Sequence, residues 1–148
     1  MDAFVTLAAA VAGAVIALAG QYATKRGDKR IRNGELLLEQ CAKIVALSDD
    51  FRSRIWEEKV LGLEGKVDSW DLGAYRLSAA RIKILCDDAS LLQALEDLTN
   101  SGKRLGGSWR RGQLDDDEFE KRRERDKVVC AHFIDASAKV VGRYLREK

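Results

Sequence analysis

Proline is absent from this chain of 148 residues. Average usage near 5% would place about seven prolines in a chain of this length. Because proline breaks helix interiors and is at home in turns and loops, its absence favours long helices with short connections. The chain is 46% hydrophobic and 34% charged. This composition excludes a disordered chain and allows one domain of ordinary size with an appendage.

Cysteine and histidine are scarce, and their positions argue against metal sites and disulfides. Cys41, Cys86 and Cys130 are far apart, and the sequence contains no CxxC or HxxxH. A zinc site or a disulfide framework requires paired, closely spaced ligands. Since each cysteine lies among apolar residues in a helical pattern, we expect three buried thiols in a reducing compartment. No metal or other cofactor is predicted.

No pattern in the sequence is typical of an enzyme. His132 is the one histidine, and its neighbours do not form a nucleophile–base arrangement, so we expect a partly buried structural residue. The glycine-rich stretch "SGKRLGGS" at 101–108 differs from a P-loop, because Asp97 stands where the first glycine is needed and a helix precedes it. We predict no catalytic, cofactor-binding or metal-binding residue.

Residues 3–22 contain no charged side chain. As a helix they would span about 30 Å, the thickness of a bilayer's hydrocarbon core. A soluble core helix of this length carries a polar stripe, and here only Thr6 and Gln21 would supply one. We therefore predict a transmembrane anchor over residues 1–24 rather than a buried soluble helix.

A cleaved export signal is the other alternative for this segment. "ALA" at 17–19 before Gly20 resembles a cleavage site, but the first residues, "MDAF", include an acid and no cation, whereas export signals begin with a basic region. The cations follow the segment instead: Lys25, Arg26, Lys29, Arg30 and Arg32. By the positive-inside rule that side is cytoplasmic. The prediction is an uncleaved single-pass anchor in the inner membrane, with its N-terminus outside and its body in the cytoplasm.

The net positive charge lies next to this anchor. Residues 25–34 hold five basic residues and one acid, whereas residues 35–148 hold 21 basic and 22 acidic residues. The sequence thus predicts a basic juxtamembrane segment, 25–34, that contacts anionic headgroups. Nucleic-acid binding is not predicted, since it would require cations clustered on the folded body.

Small residues recur every four positions within the anchor, at Ala9, Gly13 and Ala17. Such a seam lets two helix backbones approach closely in a membrane. It predicts self-association of the anchor, with chance spacing in an alanine-rich segment as the alternative.

Apolar residues at helical spacing indicate about four helices in residues 35–148. The first helix is predicted over 34–60, with the glycines at 27 and 34 leaving open whether it continues the anchor, and "GLEGK" at 62–66 reads as a turn. The second helix is predicted from Asp68 or Ser69 to about Leu85, and a short third helix is capped by Asp87 or Asp88. The first and last helices have these core seams: Leu37, Cys41, Ile44, Ser48, Phe51 and Ile55; Val129, Phe133, Ala136, Val140 and Tyr144. The predicted fold is all-α, a transmembrane helix followed by an antiparallel cytoplasmic bundle.

The stretch 101–113 is predicted to be the longest loop, because it contains four glycines and no periodicity. It presents Trp109, Arg110 and Arg111, residue types enriched at interaction hot spots, and is a candidate docking site. We therefore expect a membrane-anchored interaction or scaffold protein whose partners are the bilayer, itself or an unidentified cytoplasmic protein. The alternative is a membrane-active effector that, in architecture, resembles small holin-like or toxin-like proteins. The lack of a polar pore-lining face on the span favours the first hypothesis.

Overall fold

A computed structural model describes the backbone of residues 2–112 and 115–146 and the side chains of residues 27–112 and 115–146. These residues form four helices: α1 (Asp2–Leu61), α2 (Leu72–Leu85), α3 (Ala89–Arg110) and α4 (Asp116–Arg146). No strand occurs among them. The prediction of an all-α fold is confirmed.

α1 is one continuous helix, and neither Gly27 nor Gly34 interrupts it. At Gly34 a Cβ atom would lie 2.8 Å from the Cβ of Tyr144, so glycine here lets α1 and α4 approach closely. The apolar segment and the first helix of the body are therefore one element.

Within the described part of the chain, none of the helices combines the length and the apolar character that a membrane crossing requires. The predicted span over residues 3–22 lies outside the residues whose side chains are described. The same holds for the predicted self-association residues Ala9, Gly13 and Ala17, and for Lys25 and Arg26. The remaining predicted membrane-surface cations, Lys29, Arg30 and Arg32, are exposed.

The core lies where α1 packs against α2 and α4, and where α4 packs against α3. The predicted seam residues Leu37, Ile44 and Phe133 are fully buried, which confirms the helical period of both long helices. All three cysteines are buried, as the sequence predicted.

The connection between α1 and α2 is longer than predicted. Gly62 and Gly65 have φ values of +65° and +78°, which confirms the turn at 62–66 and its need for glycine. However, α2 begins at Leu72, because the cap is Asp71, whose carboxylate accepts the Ala74 N–H at 2.8 Å. The chain between these points is held by Val67, which is buried.

The third helix begins as predicted but ends much later. Asp88 caps α3 by accepting the Leu91 N–H at 3.0 Å. The predicted loop over 101–113 is wrong, since α3 continues to Arg110. Leu105 lies two turns after Leu98, and both are buried. Burial of this apolar face outweighs the roughly 1 kcal/mol that each helical glycine costs.

Candidate functional site

One side of the bundle is open. α2 and α3 follow each other in the chain but barely touch, and a groove of about 810 Å³ lies between them. The two helices form its walls, while Ser48 and Phe51 of α1 and Asp126 of α4 contribute to its floor. Its volume falls within the range of ligand-binding clefts.

Aromatic side chains line one end of this groove. The Trp70 indole Nε1 donates a hydrogen bond to the Leu47 carbonyl at 2.9 Å. Its ring centroid lies 4.7 Å from that of Phe51 and 5.6 Å from that of Tyr75. Because the indole is both hydrogen-bonded and packed between two rings, this apolar surface is held in place before any ligand arrives.

A hydrogen bond crosses the floor of the groove from α2 to α3. The Tyr75 hydroxyl lies 2.9 Å from Thr99 Oγ1, and the Thr99 hydroxyl donates to the Leu95 carbonyl at 2.8 Å. Since Thr99 has one proton to donate, Tyr75 is the donor in the pair. Burial raises the pKa of the Tyr75 phenol and outweighs the lowering by its hydrogen bond with Thr99, and the nearby negative charge of Asp126 raises the pKa further. The phenol therefore keeps the proton that this hydrogen bond needs at neutral pH.

A buried ion pair links α1 and α4 beneath the groove. Arg52 Nη1 donates to Asp126 Oδ2 at 2.8 Å, and the two side chains are 9% and 2% exposed. Burial by itself lowers the pKa of Arg52, but the hydrogen bond to Asp126 and the charge of that carboxylate, with a hydrogen bond that Arg52 donates to Asp49, outweigh it and raise the pKa. The other carboxylate oxygen, Asp126 Oδ1, is buried and has no hydrogen-bond partner among the described residues. The groove floor thus contains an acceptor that the bundle itself leaves unsatisfied.

The sequence did not single out Asp126, because the charges of "EKRRERDK" at 120–127 alternate in sign, as on a solvated, salt-bridged helix face. Two pairs of that face do form, Arg123 with Glu120 at 3.3 Å and Lys127 with Glu124 at 2.6 Å. Asp126 differs from them in register, since it lies seven residues before Phe133 and therefore on the buried side of α4. This seven-residue spacing from Phe133 is the sequence feature that could have identified Asp126 as a buried position.

The predicted docking residues are separated by the fold. Trp109 is half-buried within α3 rather than exposed on a loop, and its Nε1 donates to Glu58 Oε2 at 2.7 Å. Arg110 pairs with Asp68 at 3.0 Å on the rim of the groove, and Arg111 is exposed. Of the three, Arg110 is the residue that the structure places at the groove.

Trp109 completes a second, smaller core at the far end of the bundle. The buried residues of this core are Ile55, Val67, Leu105 and Phe119. Glu58 fixes its edge, because its carboxylate accepts both the Trp109 indole and the Val67 N–H, the latter at 2.8 Å. Burial on its own raises the pKa of Glu58, but these hydrogen bonds outweigh it and hold the pKa below its ordinary value.

His132 is exposed, which corrects the expectation of a partly buried histidine. It lies at the edge of a second groove of about 600 Å³ between α3 and α4. Arg122 lines this groove and donates to Glu118 at 2.8 Å and to the Ser108 hydroxyl. In the part of the chain that the structure describes, no cluster of histidine, cysteine and acidic residues has the geometry of a metal site.

No protein-family model, curated protein or solved structure matches this chain. Its function has to be inferred from the groove and from the distribution of charge and apolar residues along the sequence.

Proposed function

We propose that this protein is a membrane-anchored interaction protein whose helical body docks another protein in the groove between α2 and α3. The observation that carries the proposal is the open side of the bundle, where an aromatic floor and a charged rim meet. Grooves between helices are a common docking surface for amphipathic helices. The body acts in binding and not in catalysis.

The anchor in this proposal is the uncharged segment 3–22, followed by five cations at positions 25–32. The continuity of α1 from Asp2 to Leu61 supports it, because one helix joins that segment to the core of the body. Leu37, the first buried seam residue, lies about 22 Å along the helix from Tyr22. At that distance the cations contact anionic headgroups of the inner membrane, and the body sits close to its cytoplasmic face.

Extraction of membranes with alkaline carbonate tests the anchor. The full-length chain should remain in the membrane pellet, and its N-terminus should be intact. Replacing Val11 and Val15 with arginine, which places two charges in the segment, should release the chain. Recovery of the unmodified chain in the soluble fraction, or an N-terminus at Gly20, would show that the segment is not an anchor.

The membrane-active effector makes a different prediction from the docking protein. Anchors that assemble into a pore would depolarise a bacterial host on expression, whereas a docking protein leaves the membrane potential unchanged. The seam of Ala9, Gly13 and Ala17 favours anchor dimers in either case, so the membrane potential is the measurement that separates the two functions.

A further inference from the structure

We propose that the groove between α2 and α3 binds an acidic amphipathic helix of a partner protein. This rests on the proposed docking function and adds the chemistry of the ligand. Three features of the groove carry it: its length, the small residues on its walls and the unpaired cations on its rim.

The length of α2 sets the length of the helix that could lie in the groove. α2 forms one wall and has 14 residues, which corresponds to about 20 Å. α3 faces it across the opening and is longer. A ligand helix of roughly four turns laid along the groove would become a fifth helix of the bundle and would cover the exposed side chain of Leu72.

Both walls carry small residues that face this space. Ala79 and Ala80 line the groove from α2, and Gly102 and Gly107 line it from α3. A Cβ atom added at Gly102 would meet nothing within 4 Å. Small residues on both walls allow the backbone of a ligand helix to approach closely. A thin, flexible ligand would not require such small residues.

The rim carries cations that the bundle leaves unpaired. Arg76 and Lys83 lie seven residues apart on α2, and Lys103 lies opposite on α3. None of these three forms an ion pair with a described residue. The acids on the rim are Asp68, which is held by Arg110 at 3.0 Å, and Glu96.

This excess of positive charge is local. Residues 35–148 as a whole carry a net charge of −1, from 21 basic and 22 acidic residues. A helix with acidic residues flanking its apolar face would pair with Arg76, Lys83 and Lys103, while a basic helix would meet like charges at the same positions. Charge complementarity therefore selects an acidic ligand.

The test uses the full-length chain in nanodiscs and two fluorescent 18-residue peptides. Both peptides have leucines at helical i, i+3, i+4 and i+7 spacing, and their flanks carry glutamate in one peptide and lysine in the other. Fluorescence anisotropy should show saturable binding of the glutamate peptide, and at least tenfold weaker binding of the lysine peptide.

Two variants locate the binding. Arg76→Glu with Lys103→Glu should weaken the glutamate peptide roughly tenfold, whereas Arg81→Glu with Lys139→Glu, an equal charge change at exposed sites outside the groove, should not. Gly102→Leu adds a side chain to the groove wall at a position where the new Cβ meets no atom within 4 Å, and it should abolish binding, while Ala131→Leu on the exposed side of α4 should not.

Several outcomes would overturn the acidic-helix proposal. These are no binding of the glutamate peptide, equal binding of both peptides, or unchanged binding to Gly102→Leu. Saturable binding of a fluorescent dodecanoate with no binding of either peptide would assign the groove to an anionic amphiphile. Loss of a chain dimer in Gly102→Leu, with no peptide binding, would assign it to a second copy. Carbonate extraction does not depend on any of these outcomes, so the proposal of an anchor and the proposal of an acidic ligand helix can be contradicted separately.

Discussion

Adjacent glycines on α3 differ in what surrounds them, and the difference predicts opposite effects of the same substitution. A Cβ at Gly106 would lie 2.6 Å from Cζ of Phe51, a ring already packed against Trp70, whereas at Gly107 the nearest atom is 3.8 Å away on Arg111. Gly106→Ala should therefore destabilise the fold by about 1–2 kcal/mol through overpacking. Gly107→Ala should stabilise it by up to about 1 kcal/mol through helix propensity. Urea unfolding of the chain in mild detergent measures both, and equal effects would contradict this packing.

The carboxylate of Glu58 should make stability depend on acid. Its pKa is depressed in the folded protein, so the ionised carboxylate stabilises the fold fully at pH values above the ordinary glutamate pKa of about 4.3. The contribution is lost as pH falls through the depressed folded value. Glu58→Gln should lower the free energy of unfolding by about 1–2 kcal/mol at neutral pH. The difference in unfolding free energy between parent and variant should become smaller as the pH is lowered to about 3. Glu64→Gln, at an exposed position, is the control, and a gap that stays constant with pH would exclude this role.

Among the contacts between helices, the buried ion pair of Arg52 and Asp126 is expected to affect the free energy of unfolding most when one partner is removed. Arg52→Met leaves a buried carboxylate unpaired and should cost about 3–5 kcal/mol, whereas Arg52→Met with Asp126→Leu should recover most of that loss. Lys43→Met, which breaks an exposed pair with Glu39, should cost less than about 1 kcal/mol. Chemical unfolding at neutral pH measures this cycle. Equal losses in the single and double variants would show that the pair does not act as a unit.

Long elements could be predicted from the sequence because each of them carries its own period. The seams through Leu37 and Phe133 identified α1 and α4, and Asp88 was foreseen as a cap. The second half of α3 was missed because its stability comes from partners distant in sequence, such as Phe119 against Trp109, with ring centroids 5.9 Å apart. The groove was missed for the same reason, since the gap between α2 and α3 depends on how both pack on α1 and α4, which no local pattern encodes.

The proposed anchor at the start of α1 carries its own prediction. Gly13→Ile would fill the proposed seam of small residues and force two anchors apart while keeping the segment hydrophobic. Val11→Ile adds bulk on the opposite surface, where it should touch lipid. An in-membrane dimerisation reporter should lose signal for Gly13→Ile and keep it for Val11→Ile. If both variants matched the parent, any oligomer would have to form through the helical body.

At the scale of the whole molecule, labelling of cysteine thiols is a poor probe of the side of a membrane on which the helical body lies. Cys41, Cys86 and Cys130 are all buried, and burial raises the pKa of the Cys41 and Cys86 thiols, which keeps them protonated and unreactive. A reagent outside the membrane would miss them whichever side the body occupies. A reporter fused to the chain end avoids this ambiguity, because its activity depends on compartment and not on access to the core.

The distribution of charge predicts what such a reporter should find. The five cations at positions 25–32 are adjacent to the proposed anchor, and the positive-inside rule keeps that side in the cytoplasm. A reporter fused after Lys148 should therefore be active as a cytoplasmic fusion, and replacing all five cations with glutamine should give mixed orientations.

The control replaces five exposed cations of the body, Arg81, Lys103, Lys121, Lys139 and Arg146. It removes the same charge far from the anchor and should leave orientation unchanged. Periplasmic activity of the unmodified fusion would show that the orientation is inverted, and equal scrambling by both sets would show that total charge, and not its position, decides it.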